Sequence, residues 1–190
     1  MGTLKLKIGV MGSASGKISK AQNKIAYELG CAIAESDCIT ITGACSGYPL
    51  EAAKGAHSKG GLVVGISPAL SESEHIQKYN SPIAYHDILI FTGSGLMGRE
   101  VVNIRSSDIV IIIGGHSGTL GEFSIAYDEG RLIGVVLGTG GIADEIENIV
   151  KVINKKTGAK VIYGSNPYTL LENLIDYYLK KHYKCPDVHS

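Results

Sequence analysis

The segment DIVIIIGGHSGTLGEFSIAYDEG, residues 108–130, joins an apolar run to a glycine-rich turn and then to a stretch of helical character. The run DIVIII, 108–113, lacks polar alternation, which is typical of a parallel strand buried on both faces. GGHSGTLGE, 114–122, follows it, and its four glycines leave the backbone open to close approach. A glycine-rich turn between a buried strand and a helix predicts an α/β unit whose loop can bind an anion.

The same alternation of apolar run and helical segment extends through most of the chain. Apolar runs rich in Val and Ile lie at 6–11, 38–42, 62–66, 87–91, 108–113, 132–137 and 159–164, and helical periodicity at 18–36, 49–60, 99–107, 119–130, 141–156 and 168–183. This order predicts an α/β fold: a Rossmann-like doubly wound parallel sheet of about seven strands with helices on both faces. We expect a single domain over residues 1–190, with the irregular segment 67–86 as a lid or a partner-facing loop.

Composition limits the classes of partner. Lys plus Arg and Asp plus Glu are 18 each, so the formal net charge is zero and a nucleic-acid-binding surface is not expected. The four cysteines form no C-x-x-C pair, which argues against a metal site, and no cofactor is implied. The chain has no apolar stretch of about 18 residues and no signal-peptide pattern, so we expect no membrane partner and a cytoplasmic location.

Two glycine-rich motifs fit known nucleotide-binding patterns only in part. MGSASGKI, residues 11–18, has Met11 at the first glycine position of a P-loop and Ile18 where a Ser or Thr should follow the lysine. TGSGLMG, residues 92–98, contains G-x-G-x-x-G after a strand. The next run, 108–113, does not end in the carboxylate that would hold a dinucleotide ribose. Neither a P-loop ATPase nor a nicotinamide dehydrogenase is favoured.

Five strand-to-helix turns are nevertheless rich in glycine, and in a parallel sheet they lie at one edge. Ligands of such folds bind outside the carboxyl ends of the strands, so these turns predict one crevice for a phosphorylated, nucleotide-like small molecule. The residues expected to bind it are Gly12, Ser13, Gly43, Gly98, Gly115, His116, Ser117, Gly118 and Thr119.

Two charged residues have alternative interpretations. Thr119-Leu-Gly-Glu122 matches a capping box, in which Glu122 would only stabilise a helix start, but a carboxylate beside a phosphosugar could also assist cleavage at the anomeric carbon. Arg99 could contact a phosphate or a developing charge, or it could be a surface residue paired with Glu100 or Asp108. The residue pattern alone leaves both pairs of alternatives open.

GGHSGTLGE resembles the P-G-G-x-G-T-x-x-E signature of the LONELY GUY family, which are nucleoside 5′-monophosphate phosphoribohydrolases with a Rossmann-like fold. Gly114 stands at the family's Pro, His116 at its second Gly, and Glu122 at its Glu. Arg99 matches the Arg of the family's Arg-Lys pair, while Glu100 stands at the Lys. The likeness covers about residues 6–140.

These departures make the chain similar to the wider Rossmann-like group that includes molybdenum-cofactor carrier proteins. The resemblance therefore implies a protein that binds a phosphorylated nucleotide. It would be either a phosphoribohydrolase with Arg99 and Glu122 as catalytic residues, or a non-catalytic nucleotide or molybdenum-cofactor carrier, or a nucleotide sensor. It also implies a homodimer or higher homo-oligomer, since relatives associate through helices that flank the site.

Overall fold

A computed structural model describes residues 4–182, except for the side chain of His182. Cys185, one of the four cysteines, lies outside the described residues. The assignment of residues 1–190 to a single domain stays a prediction. None of the helices within the described range is long and apolar enough to cross a membrane.

The structure confirms the predicted α/β fold. Its strands are β1 (Lys7–Gly12), β2 (Ile39–Thr42), β3 (Val63–Ser67), β4 (Ile88–Phe91), β5 (Ile109–Ile113), β6 (Leu132–Val136) and β7 (Lys160–Gly164). They form one seven-stranded sheet in the order β4-β3-β2-β1-β5-β6-β7, and every pair of neighbours is parallel. The apolar runs predict these strands well because parallel strands at the centre of such a sheet are covered on both faces.

Helices cover both faces of the sheet. They are α1 (Lys20–Glu35), α2 (Tyr48–Ser58), α3 (Glu72–Gln77), α4 (Gly95–Arg105), α5 (Ser117–Asp128), α6 (Gly141–Ile153) and α7 (Pro167–Tyr177), followed by a π-helical turn, Tyr178–His182. One core lies between the sheet and α1, α2 and α7, and a second lies between the sheet and α4, α5 and α6. The predicted double winding is therefore present.

The order of the strands places a crevice between β1 and β5. The chain winds from β1 outward to β4, returns to the other side of β1 through β5, and continues outward to β7, so the connections leave these two strands in opposite directions. Gly12 pairs with Ile113 at the carboxyl ends of the two strands. A Cβ atom at Gly12 would lie 2.5 Å from the Ile113 carbonyl oxygen, so glycine is needed where the loops diverge.

Two helices begin earlier than predicted. Helix α4 begins at Gly95, and the predicted start at Arg99 is wrong because Gly93 and Gly95 supply the positive-φ turn and Gly98 already lies inside the helix. Helix α5 begins at Ser117 with His116 as its N-cap residue, which places Thr119 and Glu122 inside the helix. The capping-box interpretation of Glu122 is therefore wrong.

The segment 67–86 is a structured connection and includes α3, which the sequence analysis did not predict. Its anchor is His75, which is fully buried: its Nδ1 lies 2.8 Å from Ser67 Oγ and its Nε2 lies 3.2 Å from the Pro82 carbonyl oxygen. The Gly95 amide also donates to the Pro68 carbonyl at 3.2 Å. These bonds attach the segment to the start of α4, beside the crevice.

Candidate functional site

A cleft of about 220 Å³ lies at the carboxyl edge of the sheet, between the turn after β1 and the starts of α4 and α5. It is lined by Val10, Gly12, Ser13, Ala14, Ser15, Gly43, Cys45, Pro49, Leu96, Arg99, Glu100, His116, Gly118, Thr119 and Glu122. We call it the central cleft. A smaller pocket of about 100 Å³ adjoins it at Ser13, Ser15 and His116 and extends towards Gly140.

The central cleft brings together most of the residues proposed from the sequence. Gly12, Ser13, Gly43, Arg99, His116, Gly118, Thr119 and Glu122 line it. Gly115 lines the smaller pocket. Gly98 lies inside α4 and Ser117 opens α5, and neither lines either of these pockets. The functional roles of these residues stay predictions.

Arg99 is the cation of the cleft. It is only 8% exposed and comes from the second turn of α4. Its guanidinium lies against Gly43, and a Cβ atom at Gly43 would overlap Nη1. Among residues 4–182 it makes no ion pair with a carboxylate, and its buried Nε has no hydrogen-bond partner. The sequence alternative of a surface arginine paired with Glu100 or Asp108 is wrong, because Asp108 pairs with Lys7 instead.

Two carboxylates face the same space as Arg99. Glu122 is 6% exposed and Glu100 is 5% exposed. Burial raises the pKa of Glu122 to about 7, although the charge of Arg99 opposes this rise and the charge of Glu100 adds to it. Burial also raises the pKa of Glu100, again against the effect of Arg99. Near neutral pH Glu122 is therefore about half protonated, which lowers the negative charge in the cleft.

Donor groups without partners surround these charges. Within the described part of the chain, the hydroxyls of Ser13, Ser15 and Thr119 make no hydrogen bond, and all three line the cleft. The N-termini of α4 and α5 carry no side-chain cap. Helices α2 and α6 likewise have no side-chain cap, whereas α1, α3 and α7 are capped by Ser19, Ser71 and Asn166. Uncapped helix N-termini offer backbone N–H donors and a positive dipole end to an anion.

Sequence analysis missed three contributors to the cleft. Glu100 was considered only as a departure from a family motif and as a surface partner of Arg99. Asn103 is fully buried beside Glu122, and hydrogen bonding from its side chain opposes the rise in the pKa of Glu122. Cys45 is half-buried in the turn after β2, where burial raises the pKa of its thiol while Arg99 lowers it. The spacing of Arg99 and Asn103, four residues apart on one helix, was an available signal for the second residue.

A second set of residues holds the turn after β5 in place. Thr139 is 2% exposed; its hydroxyl accepts from the Gly114 amide at 2.9 Å and donates to the Val136 carbonyl at 2.6 Å. Tyr48 is buried, and its hydroxyl donates to the Thr139 carbonyl at 2.8 Å. These bonds position the backbone that leads into α5. No group of three or more His, Cys, Asp or Glu residues within 4–182 could hold a metal ion.

The parallel sheet and the glycine-rich crevice at its switch point define a Rossmann-like α/β protein. The chain belongs to the SLOG cluster4 family, whose sequence model matches residues 5–171. An uncharacterized protein of Archaeoglobus fulgidus is 38% identical over 128 residues, which cover 67% of this chain and 78% of that protein.

Two solved structures are similar over nearly the whole chain. The molybdenum cofactor binding protein of Rippkaea orientalis is 28% identical, with a TM-score of 0.77, covering 94% of this chain and 100% of that chain. The molybdenum cofactor carrier protein of Chlamydomonas reinhardtii is 28% identical, with a TM-score of 0.74, covering 93% of this chain and 100% of that chain. These likenesses confirm the resemblance to the carrier group and do not confirm the hydrolase.

Proposed function

We propose that this protein binds a phosphorylated, nucleotide-like small molecule in the central cleft and holds it without turnover, as a carrier of a compound of the molybdenum-cofactor class. The observation that carries this proposal is that Arg99 is buried in the central cleft without an ion-pair partner. A buried guanidinium that makes no ion pair is costly, because it has given up water while Glu100 and Glu122 act on it only beyond contact distance and its Nε has no hydrogen-bond partner. A bound phosphate would supply that counter-charge and accept from the guanidinium in a bidentate arrangement.

The surroundings of Arg99 suit a phosphate in two further ways. The hydroxyls of Ser13 and Thr119 and the first amides of α5 are donors on the same cleft. The carboxylates of Glu100 and Glu122 would repel a phosphate dianion if both were ionised, and burial raises the pKa of each, which favours their neutral forms. Hydrogen-bond donors together with carboxyl groups of raised pKa therefore fit an anion better than a cation or a neutral ligand.

A second candidate function is hydrolysis of a nucleoside 5′-monophosphate, which is favoured by Glu122. This carboxyl is not a helix cap, it lines the cleft, and its pKa of about 7 would let it act as a general acid near neutral pH. Water would add to the anomeric carbon, the bond from that carbon to the base would break, and the departing base would take a proton. Arg99 would orient the 5′-phosphate.

One preparation distinguishes the two candidates. The protein is expressed in a host that makes molybdenum cofactor and is then purified, and bound molybdenum and the fluorescence of oxidised pterin are measured. For a carrier, wild type should retain bound molybdenum and pterin, and Arg99→Gln should lose both. Incubation of wild type with a panel of nucleoside monophosphates should then release no free base that chromatography can detect. Release of base that disappears in Glu122→Gln would establish the hydrolase instead and would overturn the carrier.

Self-association remains part of the proposal. The apolar faces of α4 and α5, the helices that flank the site, are used within the monomer, since Ile104, Phe123 and Ala126 are fully buried. Large apolar side chains are instead exposed at the start of α4, where Leu96 is 56% exposed and Met97 75% exposed. Light scattering of wild type and Met97→Glu tests this surface: a homo-oligomer is expected for wild type, and a smaller species for the variant.

A further inference from the structure

A second large pocket opens from the central cleft on the side of β3. It has a volume of about 460 Å³ and shares six lining residues with the cleft: Ala14, Ser15, Gly43, Cys45, Leu96 and Arg99. We call it the side pocket. Its remaining wall comes mainly from the segment after α3, residues 78–81. Arg99 therefore lies where the two spaces meet, with Ser13 and Thr119 on the side of the cleft and residues 78–81 on the other side.

The chemistry of the side pocket differs from that of the central cleft. Tyr79 and Pro68 supply aromatic and apolar surface, while Ser46 and Asn80 supply neutral polar groups. Among the described residues, the side chains of Ser46 and Asn80 make no hydrogen bond, so both are free to pair with a ligand. The one cation that belongs to this pocket alone, Lys78, is paired with Glu74 at 2.6 Å, and its Nζ lies 5.2 Å from the centroid of the Tyr79 ring, which leaves the other face of that ring for a ligand. The side pocket therefore offers a surface for a neutral, flat group with a polar edge.

Local bonds hold this wall in position before any ligand arrives. The Ser71 side chain caps α3, and the Tyr79 amide donates to the Glu74 carbonyl at 3.3 Å. The Ser81 amide donates to the carbonyl of His75, at 3.1 Å, and that residue is itself buried between Ser67 and Pro82. Asn80 takes a φ of +47°, which asparagine tolerates better than most residues and which turns the chain at this point.

We propose that the side pocket is a subsite for the planar, hydrogen-bonding heterocycle of the phosphorylated ligand, with Tyr79 as the stacking surface and Asn80 as the group that pairs with the ring edge. This inference rests on the proposed function, because the phosphate must occupy the central cleft for the ring to reach the side pocket. An asparagine amide presents both a donor and an acceptor. It can therefore pair with the amino-pyrimidinone edge that guanine and pterins share.

The test compares two probes that differ only by the ring system. Guanosine 5′-monophosphate carries phosphate, ribose and ring, whereas ribose 5-phosphate lacks the ring, and each is titrated into the protein by calorimetry. We expect wild type to bind the nucleotide at least about tenfold more tightly, since stacking of one base on an aromatic side chain contributes about that much. Tyr79→Leu and Asn80→Gly should each reduce this difference severalfold. Glycine accepts the positive φ of residue 80.

Two control variants distinguish loss of the contact with the ring from a general effect on the folded protein. Tyr79→Phe keeps the aromatic surface and should keep the preference for the nucleotide. Glu72→Gln changes α3 outside the pocket and should change neither affinity. Equal affinity of wild type for the two probes, or a preference that survives in both Tyr79→Leu and Asn80→Gly, would overturn the subsite while the phosphate site stands. Failure of both probes to bind wild type would instead overturn the proposed function.

Discussion

The guanidinium of Arg99 occupies the space that a side chain at position 43 would fill. Nη1 of Arg99 lies where the Cβ atom of any residue other than glycine would be placed on Gly43. Gly43 has no positive φ, so its lack of a side chain matters for space and not for backbone conformation. The turn after β2 and the second turn of α4 are therefore fitted to each other around the one buried cation of the central cleft.

Gly43→Ala should displace the Arg99 side chain and weaken binding of guanosine 5′-monophosphate by about tenfold or more, as expected when a charged hydrogen bond is lost. The measurement is a calorimetric titration of wild type, Gly43→Ala, Arg99→Gln and the double variant. Because both substitutions act on the same guanidinium, their effects should not add. Additive losses would show that Gly43 acts independently of Arg99.

Arg99→Gln should leave the free protein at least as stable as wild type, although it weakens binding. The substitution removes a buried charge that has no carboxylate partner, so the cost of its desolvation disappears. Chemical unfolding without ligand measures this. A loss of more than about 2 kcal/mol in the free energy of unfolding would mean that Arg99 is a structural residue, as is typical of a broken buried pair.

Glu122→Gln should stabilise the protein more at pH 8 than at pH 5. The pKa of Glu122 rises from 4.5 in the unfolded chain to about 7 in the folded protein. Between these values the unfolded chain releases a proton that the folded protein keeps, so this residue disfavours folding increasingly as pH rises, by about 3 kcal/mol above pH 7. Unfolding curves of both proteins at several pH values test this. A stability difference that does not change with pH would contradict the raised pKa.

Thr139→Val should reduce the free energy of unfolding by about 1–3 kcal/mol, because the buried Gly114 amide would lose its only side-chain acceptor. Thr139→Ser keeps the hydroxyl and should cost much less. The same unfolding measurement compares the two variants. A loss in Thr139→Ser as large as that in Thr139→Val would mean that the methyl group contributes as much as the hydroxyl, and no loss in Thr139→Val would contradict the role of the hydrogen bond that positions the turn before α5.

The sequence predicts the strands of the sheet well and the first residues of α4 and α5 less well. Apolar runs such as 108–113 identify strands because both of their faces are buried. Helix starts are recognised from capping side chains, and α4 and α5 have none. Helices α2 and α6 also lack a side-chain cap but begin within one residue of the predicted positions, so the errors at α4 and α5 come instead from the glycines of their first turns, Gly95, Gly98 and Gly118, which are poor helix formers.

Contacts between distant parts of the chain account for what the sequence did not show in the site. Most of the central cleft was predictable, because its residues follow the strands in glycine-rich turns. The burial of Glu122, the approach of Asn103 and the bond from Thr139 to Gly114 depend on how α4, α5 and the turn after β6 pack together. Local sequence patterns do not predict that packing, so the burial that raises the pKa of Glu122 can be identified only from the folded structure.

The most direct test of the account is a titration of wild type and Arg99→Gln with guanosine 5′-monophosphate and with guanosine. The account predicts saturable binding of the nucleotide to wild type, binding of guanosine that is weaker by at least about tenfold, and loss of that preference in Arg99→Gln. Equal binding of nucleotide and nucleoside to wild type, or an unchanged preference in the variant, would contradict the claim that the central cleft binds phosphate through Arg99.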